Sequence, residues 1–228
     1  MINTAIIVAA GSGRRFGAER PKQFADLLGR PLIAHTLDKF ESCVAVDEIV
    51  LVLSKTGRQE FERLTPAFNF SKLKEIVIGG ATRAASVRNG LQVIDPATAK
   101  VVAIHDGARP LVTVAEIEQT IRKADQTGAA CLVTEISDTI KEIDGEDISR
   151  TLDRSSLRRA LTPQAFRYDL IIRAFDGADL SENITDECLL VERVGVAIAC
   201  VEGSSRNIKI THSDDLLVAA ALMQMDRM

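Results

Sequence analysis

The chain has 228 residues, of which 46% are hydrophobic and 26% are charged, and its formal net charge is −4. This length and composition are typical of a globular protein with one α/β domain, or one domain with an appendage. The negative net charge argues against non-specific nucleic-acid binding, because counterion release needs a basic face. No apolar run reaches membrane-spanning length, and Met1-Ile2-Asn3 leads directly into a predicted strand without room for a signal peptide. We therefore expect a cytoplasmic protein.

The cysteines and histidines show no metal-binding or redox spacing. Three histidines are too few for a histidine-rich metal site. The cysteines are widely separated, which favours buried free thiols over disulfides. They are Cys43, Cys131, Cys188 and Cys200.

The most informative stretch is the loop that follows the first predicted strand, residues 4–8. It contains small residues and three glycines, and Arg14, Arg15 and Lys22 lie in or just after it. An open backbone with fixed positive charge is suited to polyphosphate binding. The third glycine is one position late for the dinucleotide fingerprint, and no Gly-Lys-Ser/Thr ends the loop as in a P-loop. We predict a longer anion-binding loop; the alternative is an ordinary loop with solvated charges.

Downstream, apolar runs alternate between helical and strand spacing, which predicts an α/β fold. Thr113 followed by Glu116 predicts a capping box at the start of one helix. The predicted helices cover residues 32–40, 58–64 and 114–124, and the predicted strands cover 48–53, 75–78, 101–104 and 128–133.

A second glycine turn, Gly79-Gly80, separates a predicted strand from a helix that carries Ser86 near its start. Glycines let a ligand approach the backbone closely, and N–H groups at a helix start favour anions or polar base edges. This turn could form a second wall of a nucleotide pocket. Simple turn chemistry is the equally weighted alternative.

The strand at 101–104 delivers His105-Asp106-Gly107-Ala108-Arg109-Pro110 at its carboxyl end. Ligands of open α/β sheets lie outside the carboxyl ends of the strands, so Asp106 and Arg109 should project toward the first loop. Asp106 could hold a divalent metal or a substrate hydroxyl, and Arg109 could hold a phosphate or a structural carboxylate. Alternatively, the two side chains pair with each other and stabilise the turn.

Residues 137–159 alternate apolar and polar side chains around Asp144-Gly145, which predicts a β-hairpin. The hairpin is too polar to close a core on its own. We interpret it as an arm that reaches another subunit; a solvated hairpin is the alternative. The sequence contains no repeat or linker, so we treat residues 1–228 as one domain with this arm.

The last third of the chain returns to α/β alternation. Thr185 or Asp186 is suited to cap a helix at its N-terminus. A last buried strand is predicted over residues 196–201. Lys209 then alternates with two isoleucines, and residues 213–215 are expected to cap the final helix.

Taken together, seven motifs in order resemble those of the 2-C-methyl-D-erythritol 4-phosphate cytidylyltransferases over nearly the whole chain. Gly107 is the one visible departure, because the family usually has alanine there, and this small-for-small change puts no catalytic residue in doubt. The motifs are A-A-G-x-G-x-R-x-G…P-K-Q at 9–23, G-G…R…S-V…G-L at 79–91, H-D-x-A-R-P at 105–110, D-T-I-K at 138–141, D-R…L-T-P-Q at 153–164, T-D-E at 185–187 and V-E-G…N-I-K-I-T at 201–211.

The resemblance implies a Rossmann-like nucleotidyltransferase fold with a mostly parallel sheet, CTP and methylerythritol phosphate as substrates, Mg²⁺, and a homodimer joined by swapped arms. It leaves the metal ligands unassigned. Carried over motif by motif, it implies Arg15, Lys22 and Lys209 as catalytic residues, Ala9, Ala10, Gly11, Gly13, Gly80, Ser86, Asp106 and Gly107 as nucleotide-binding residues, and Asp106, Arg109, Thr139, Arg154, Thr162, Thr185 and Lys209 as substrate-binding residues, with Thr139 and Arg154 reaching the other subunit's site.

Such a reaction fits the charges in the sequence. Attack of a phosphate oxygen on the α-phosphorus of CTP brings two anions together, and the transition state carries additional negative charge. Preorganised cations such as Arg15 and Lys22 stabilise that charge, and no protein nucleophile is required. Two alternatives are a ribitol-5-phosphate cytidylyltransferase and a nucleotide-binding module without turnover. Ala108 and residues 185–187 argue against the first alternative.

Overall fold

The computed structural model describes residues 1–11, 16, 21–64, 68–180 and 184–226. Within these ranges, β-branched apolar runs form strands, and amphipathic segments form helices. The strands are β1 (Ile2–Ala9), β2 (Asp26–Leu27), β3 (Arg30–Pro31), β4 (Glu48–Leu53), β5 (Leu73–Ile78), β6 (Ala99–Asp106), β7 (Ala129–Glu135), β8 (Lys141–Asp144), β9 (Asp147–Thr151), β10 (Arg158–Arg167) and β11 (Ala199–Glu202). The helices are α1 (Leu32–Glu41), α2 (Lys55–Leu64), α3 (Arg83–Leu91), α4 (Val114–Thr127), α5 (Tyr168–Asp176), α6 (Glu187–Arg193) and α7 (Asp214–Met225).

Among the described residues, seven strands form one sheet in the order β11-β7-β10-β6-β1-β4-β5. The pairs β1–β4, β1–β6, β4–β5 and β7–β11 are parallel, whereas β10 lies antiparallel between β6 and β7. Since β6 and β7 both run opposite to β10, their carboxyl ends lie at the same edge as those of β1, β4, β5 and β11. This carboxyl edge is where ligands bind in open α/β sheets.

Alternate side chains of the central strands enter two cores, one on each face of the sheet. Ile6 of β1 packs with residues of α3, α5 and α6, whereas Ile7, the next residue, packs with residues of α1, α2 and α4. Helices therefore cover both faces, which explains why the central strands are apolar without alternation. The predicted Rossmann-like α/β fold is confirmed, while the assignment of residues 1–228 to one domain stays a prediction.

Several local predictions are confirmed in detail. Thr113 Oγ1 accepts the Glu116 N–H at 3.1 Å, and the Glu116 carboxylate accepts the Thr113 N–H at 2.8 Å, which completes the capping box. Asp186, rather than Thr185, caps α6 by accepting the Leu189 N–H at 3.2 Å.

Three expectations need correction. Cys200 is exposed, because it lies on the edge strand β11; the other three cysteines are buried. The last strand begins at Ala199 rather than residue 196. Before α7, the Asp215 carboxylate accepts the N–H groups of Thr211 and His212, whereas Ser213 makes no side-chain cap bond.

The predicted hairpin is present as β8 and β9, with Gly145 at its turn in the left-handed region at φ 59°. It follows β7 and therefore leaves the sheet at the carboxyl edge. Every residue of β8 and β9 is exposed, and the cross-strand partners Ile143 and Ile148 are 65% and 64% exposed. Among the described residues, no side chain buries the apolar pair of Ile143 and Ile148 on this arm.

Candidate active site at the carboxyl edge of the sheet

A cavity of about 600 Å³ opens at the carboxyl edge, between the first loop and the second glycine turn. Its walls come from the end of β1, residues 22–23, residues 80–83 with Ser86, the end of β6, and the segment after β11. The topology explains this meeting, because β1 and β6 are neighbouring parallel strands whose following loops emerge side by side.

The first loop contributes small residues to the cavity. Ala9, Ala10 and Gly11 line it, and a Cβ added to Gly11 would meet no heavy atom within 4 Å. Gly13, Arg14 and Arg15 lie outside the described residues.

Lys22 and Gln23 follow Pro21 in a short 3₁₀ turn, Lys22–Phe24, that points both side chains to the site. The Lys22 ammonium donates to the Ile210 carbonyl at 2.7 Å. The buried Gln23 amide donates to the Ala9 carbonyl at 2.7 Å. These bonds tie the turn to the first loop and to the segment that carries Lys209.

The second glycine turn forms the opposite wall. Ser86 Oγ accepts the Gly80 N–H at 3.1 Å and donates to the Thr82 carbonyl at 2.9 Å, so Ser86 holds the turn in shape. At Gly79, an added Cβ would lie 2.4 Å from the Ala10 Cβ. Only glycine therefore allows the two loops to approach this closely.

Asp106, at the end of β6, is surrounded by three cations. Arg83 Nε donates to Oδ1 at 3.0 Å, Lys209 Nζ lies 2.9 Å from Oδ2, and Arg109 Nε lies 3.4 Å from Oδ2. The pairing of Asp106 with Arg109 considered from the sequence is thus present, but it is the longest of the three contacts. Arg109 also donates to the Asn207 carbonyl at 2.8 Å.

The cations determine the charge state of Asp106. Burial alone would raise the pKa of this carboxyl group, because it penalises the charged form. Arg83, Lys209 and Arg109 outweigh that effect and hold the pKa well below its usual range. Asp106 is therefore a carboxylate with both oxygens engaged.

Arg83 also contacts a second carboxylate, Glu187. Its Nη1 donates to the two carboxylate oxygens at 2.6 and 2.7 Å, and the Glu187 side chain is fully buried. Burial raises the pKa of Glu187, with Arg83 acting in the opposite direction.

His105 and Thr162 stabilise the turn behind Asp106. Burial lowers the pKa of His105 to about 3, so its ring is neutral. Nε2 must carry the proton, because it lies 3.2 Å from the Arg109 carbonyl, which only accepts. Nδ1 then accepts from Thr162 Oγ1 at 3.0 Å, and Thr162 Oγ1 accepts the Asp106 N–H at 3.2 Å. Thr162 therefore acts on the Asp106 backbone.

Six residues expected at the site lie away from the cavity lining. Two of them, Arg109 and Thr162, contact Asp106 as described above, and the other four are Gly107, Thr139, Arg154 and Thr185. Gly107 is buried behind the lining, and an added Cβ would lie 2.8 Å from both the Ala9 Cβ and the Ile33 Cδ1. Thr139, Arg154 and Thr185 are exposed, and Arg154 donates to the Ser137 carbonyl. The substrate-binding roles of Thr139, Arg154 and Thr185 stay predictions.

The sequence-based assignment passed over four residues of the site: Arg83, Gln23, Glu187 and Asn207. Asn207 is fully buried and donates to the Thr162 carbonyl at 3.0 Å, while its own carbonyl holds Arg109. All four lie inside the motifs quoted above. Their place inside these motifs was the available signal, but their partners are distant in sequence.

The described residues contain no group of three or more His, Cys, Asp or Glu side chains that could hold a metal ion. Asp106 is the one carboxylate among the described residues that line the cavity, and both of its oxygens are already paired with cations. These donors do not fit a metal site built by the protein alone.

A doubly wound α/β sheet, two glycine-containing loops and lysines at one cavity define a nucleotide-binding protein with a site suited to anions. Residues 3–225 match the 2-C-methyl-D-erythritol 4-phosphate cytidylyltransferase family. The chain belongs to this family.

Individual relatives agree over nearly the whole length. The chain is 43% identical over 220 residues to the 2-C-methyl-D-erythritol 4-phosphate cytidylyltransferase of Geobacillus kaustophilus, covering 96% of each chain. The crystal structure of 4-diphosphocytidyl-2C-methyl-D-erythritol synthase from Anaerococcus prevotii is similar with a TM-score of 0.85 at 29% identity, covering 98% of this chain and 96% of that one. The crystal structure of the Thermus thermophilus 2-C-methyl-D-erythritol 4-phosphate cytidylyltransferase is similar with a TM-score of 0.77 at 31% identity, covering 98% of this chain and 100% of that one.

Across the described ranges, no helix has the length and apolar character needed to cross a membrane.

Proposed function

We propose that the protein transfers a cytidylyl group from CTP to 2-C-methyl-D-erythritol 4-phosphate. The products are 4-diphosphocytidyl-2-C-methyl-D-erythritol and pyrophosphate, and the reaction belongs to non-mevalonate isoprenoid biosynthesis. The observation that carries the proposal is the placement of Lys22 and Lys209 at one cavity of the carboxyl edge, opposite the glycine turn with Ser86.

In this reaction, a phosphate oxygen of methylerythritol phosphate attacks the α-phosphorus of CTP. A P–O bond forms to that oxygen, and the P–O bond to the β-phosphate breaks, which releases pyrophosphate. Negative charge increases on the oxygens of the α-phosphate in the transition state. Lys22 and Lys209, with Arg15 from outside the described residues, are the cations that stabilise this charge.

We place the two substrates on different sides of the cavity. Ala9, Ala10 and Gly11 leave room for the ribose and phosphates, and Gly80 and Ser86 are suited to the base. Asp106 and Lys209 line the remaining side, where we place the methylerythritol phosphate, and Arg109 pairs with Asp106 there. Its phosphate is an additional anion, so fixed cations on that side favour its binding.

Mg²⁺ enters this proposal as part of the nucleotide. Because the described donors do not fit a metal site of their own, we propose that the ion arrives bound to the triphosphate of CTP and to water, as Mg²⁺ commonly does. Turnover should stop when a chelator is added and return when Mg²⁺ is added back, which tests the requirement for the ion.

The exposed arm supports a homodimer joined by exchanged arms. Ile143 and Ile148 form an exposed apolar pair on a two-stranded hairpin, which is marginally stable alone and gains stability from a partner surface. In such a dimer, Thr139 and Arg154 would bind the sugar phosphate in the partner's site. A monomer in light scattering at working concentration contradicts this arrangement.

The buried free cysteines Cys43, Cys131 and Cys188 fit a reducing compartment, and we propose a cytoplasmic location. Localisation of a tagged chain by fractionation tests it.

The function is tested by incubating the protein with CTP, Mg²⁺ and one polyol phosphate at a time, and measuring pyrophosphate release. We expect release with methylerythritol phosphate, and little with ribitol 5-phosphate or when ATP replaces CTP. Release with ribitol phosphate alone would reassign the substrate. Nucleotide binding without release with any polyol phosphate would indicate a binding module.

A further inference from the structure

One guanidinium joins three distant segments of the chain at the active site. Arg83 is the first residue of α3, Asp106 ends β6, and Glu187 is the first residue of α6. Arg83 bonds both carboxylates, through Nε to Asp106 at 3.0 Å and through Nη1 to Glu187 at 2.6 and 2.7 Å. It therefore connects the wall that carries Ser86 to the start of α6.

The orientation of Arg83 is determined by Glu187. The Glu187 side chain is fully buried, and the Arg83 side chain is 22% exposed. A buried carboxylate is costly unless it is paired, so Glu187 holds the guanidinium in one position. The planar fork of arginine then directs Nε at Asp106.

Arg83 is poorly suited to bind a substrate phosphate itself. It faces two carboxylates, which together offset its charge, whereas Lys209 shares the single carboxylate of Asp106 with two arginines. In the cluster of Arg83, Arg109, Lys209, Asp106 and Glu187, three cations face two carboxylates. One net positive charge is left for an anion, and Lys209 is the cluster's most exposed cation, at 40%.

We propose that Glu187 and Arg83 are positioning residues for the transfer reaction: Glu187 orients Arg83, Arg83 orients Asp106, and Asp106 places the Lys209 ammonium for the second substrate. This inference rests on the function proposed above. It assigns Glu187 and Arg83 no contact with the reacting atoms.

A charge-neutral double variant separates positioning from simple electrostatics. Arg83→Gln with Glu187→Gln removes one cation and one carboxylate, so the net charge of the cluster is unchanged and no buried charge is left unpaired. If only net charge mattered, the double variant would behave as the unmodified protein. With a positioning role, Asp106 loses its 3.0 Å partner, and Lys209 is no longer held in place.

The experiment measures steady-state kinetics against each substrate. We expect the KM for methylerythritol phosphate to rise about tenfold or more in the double variant, since misplacing a binding group weakens oriented binding. The KM for CTP should change less than about threefold, because the hydrogen bonds of Gly80 and Ser86 do not involve Arg83. A loss of folded protein alone would change neither KM.

Arg83→Lys provides a second, independent variant. It keeps the positive charge but lacks the fork that reaches both carboxylates. We expect it to raise the KM for methylerythritol phosphate as the double variant does. This variant keeps the proposal testable if the double variant does not fold, as judged by circular dichroism.

The matched control removes an ion pair from the other end of the same strand. Lys100 and Asp125 pair at 2.7 Å near the start of β6, roughly 20 Å along the strand from Asp106. The Lys100→Gln, Asp125→Asn double variant should keep both KM values.

Unchanged KM values in the folded Arg83 variants would overturn the positioning role while the unmodified protein still releases pyrophosphate. If the unmodified protein releases none with methylerythritol phosphate, the proposed function fails instead. The two failures are therefore distinguished by the unmodified protein in the same assay.

Discussion

At the scale of single residues, the site is organised by charges whose surroundings differ. Lys22 lines the cavity and donates to the Ile210 carbonyl, whereas Arg83 bonds two carboxylates. Cations of the first kind are suited to a charge that develops during the reaction. Those of the second kind shape the site.

Lys22→Ala tests the first kind. We expect turnover to fall on the order of a hundredfold or more, because a preorganised cation at the α-phosphate is removed. The fold should persist, since Lys22 is only partly buried. Pyrophosphate release and a thermal melt measure the two effects. Lys74→Ala, which removes an exposed lysine of β5, is the control, and equal activity of the two variants would contradict the role of Lys22.

His105 makes a second prediction, for stability. Its pKa is about 3 in the folded protein, because burial excludes the charged ring, and about 6.5 in the unfolded chain. The unfolded state therefore binds more protons between these values, so stability is lost as the pH falls below about 6.5. Between pH 7 and pH 5 this one group should remove about 2 kcal/mol from the free energy of unfolding.

Urea denaturation at the two pH values measures this loss. His105→Gln cannot take up the proton and should lose correspondingly less between pH 7 and pH 5, although it is less stable at pH 7. An equal loss in both proteins would show that other groups cause the acid sensitivity. Asp106 acts in the same direction at lower pH. Its pKa is lowered in the folded protein, so the stability that its ion pairs contribute is lost as the pH falls and the carboxylate is protonated.

At the scale of elements, one capping residue serves two parts of the molecule. Glu116 completes the capping box of α4 through one carboxylate oxygen, and its other oxygen accepts the Ser204 N–H at 2.6 Å. Ser204 begins the segment that carries Lys209 to the cavity. A helix start on one face of the sheet is thereby linked to the active site.

Thr113→Ala removes half of the capping box. We expect a loss of about 1 kcal/mol in the free energy of unfolding, since the first turn of α4 loses a hydrogen-bond acceptor. The kinetic constants should stay unchanged, because the Glu116 bond to Ser204 remains. Chemical denaturation measures the loss, with Glu118→Ala on the same helix as a control expected to cost only a few tenths of a kcal/mol. No loss beyond that control would contradict the contribution of the cap.

At the scale of the whole molecule, we propose that the arm makes activity depend on a second chain. The arm keeps Thr139 and Arg154 exposed and outside the lining of the cavity. In the proposed dimer, they act on the other subunit's site. Dimerisation and activity should then be lost together.

Replacing the apolar pair of the arm tests this link. Ile143→Asp with Ile148→Asp should give monomers with reduced turnover, because two carboxylates oppose burial in an interface. Val44→Asp, which alters an 83% exposed apolar residue away from the arm, is the control. Light scattering and pyrophosphate release measure both properties, and an unchanged dimer would contradict the role of the pair.

Complementation tests the exchange of arms directly. Lys22→Ala and Arg154→Ala chains, each weakly active, should recover activity when unfolded and refolded together. Each site combines Lys22 of one chain with Arg154 of the other, so a mixed dimer has one intact site. Because half of the dimers are mixed, about a quarter of all sites should be active. No recovery would show that Arg154 does not act in the partner's site.

Much of this architecture was predictable because its causes are local in sequence. The strand at 48–53, the capping box of Thr113 and Glu116 and the hairpin at Asp144-Gly145 depend on residues within a few positions of one another. The long strand β10 was not assigned in advance, since its pairing with both β6 and β7 depends on contacts more than 20 residues away. Its antiparallel direction follows from the arm, which turns the chain back at the carboxyl edge.

The sequence by itself determined the family, the α/β class, and which cations and glycines stand at the loops, because these follow from residue order and spacing. Only the tertiary structure decided which charges meet. Arg83, Asp106 and Glu187 are separated by 23 and 81 positions, yet they share hydrogen bonds because β5 and β6 end at the same edge of the sheet and α6 begins beside that edge. The same geometry exposes Cys200, buries Gly107 and keeps Thr139 and Arg154 out of their own chain's cavity. Side-chain partnership depends on distance in space, which residue spacing along the chain does not specify.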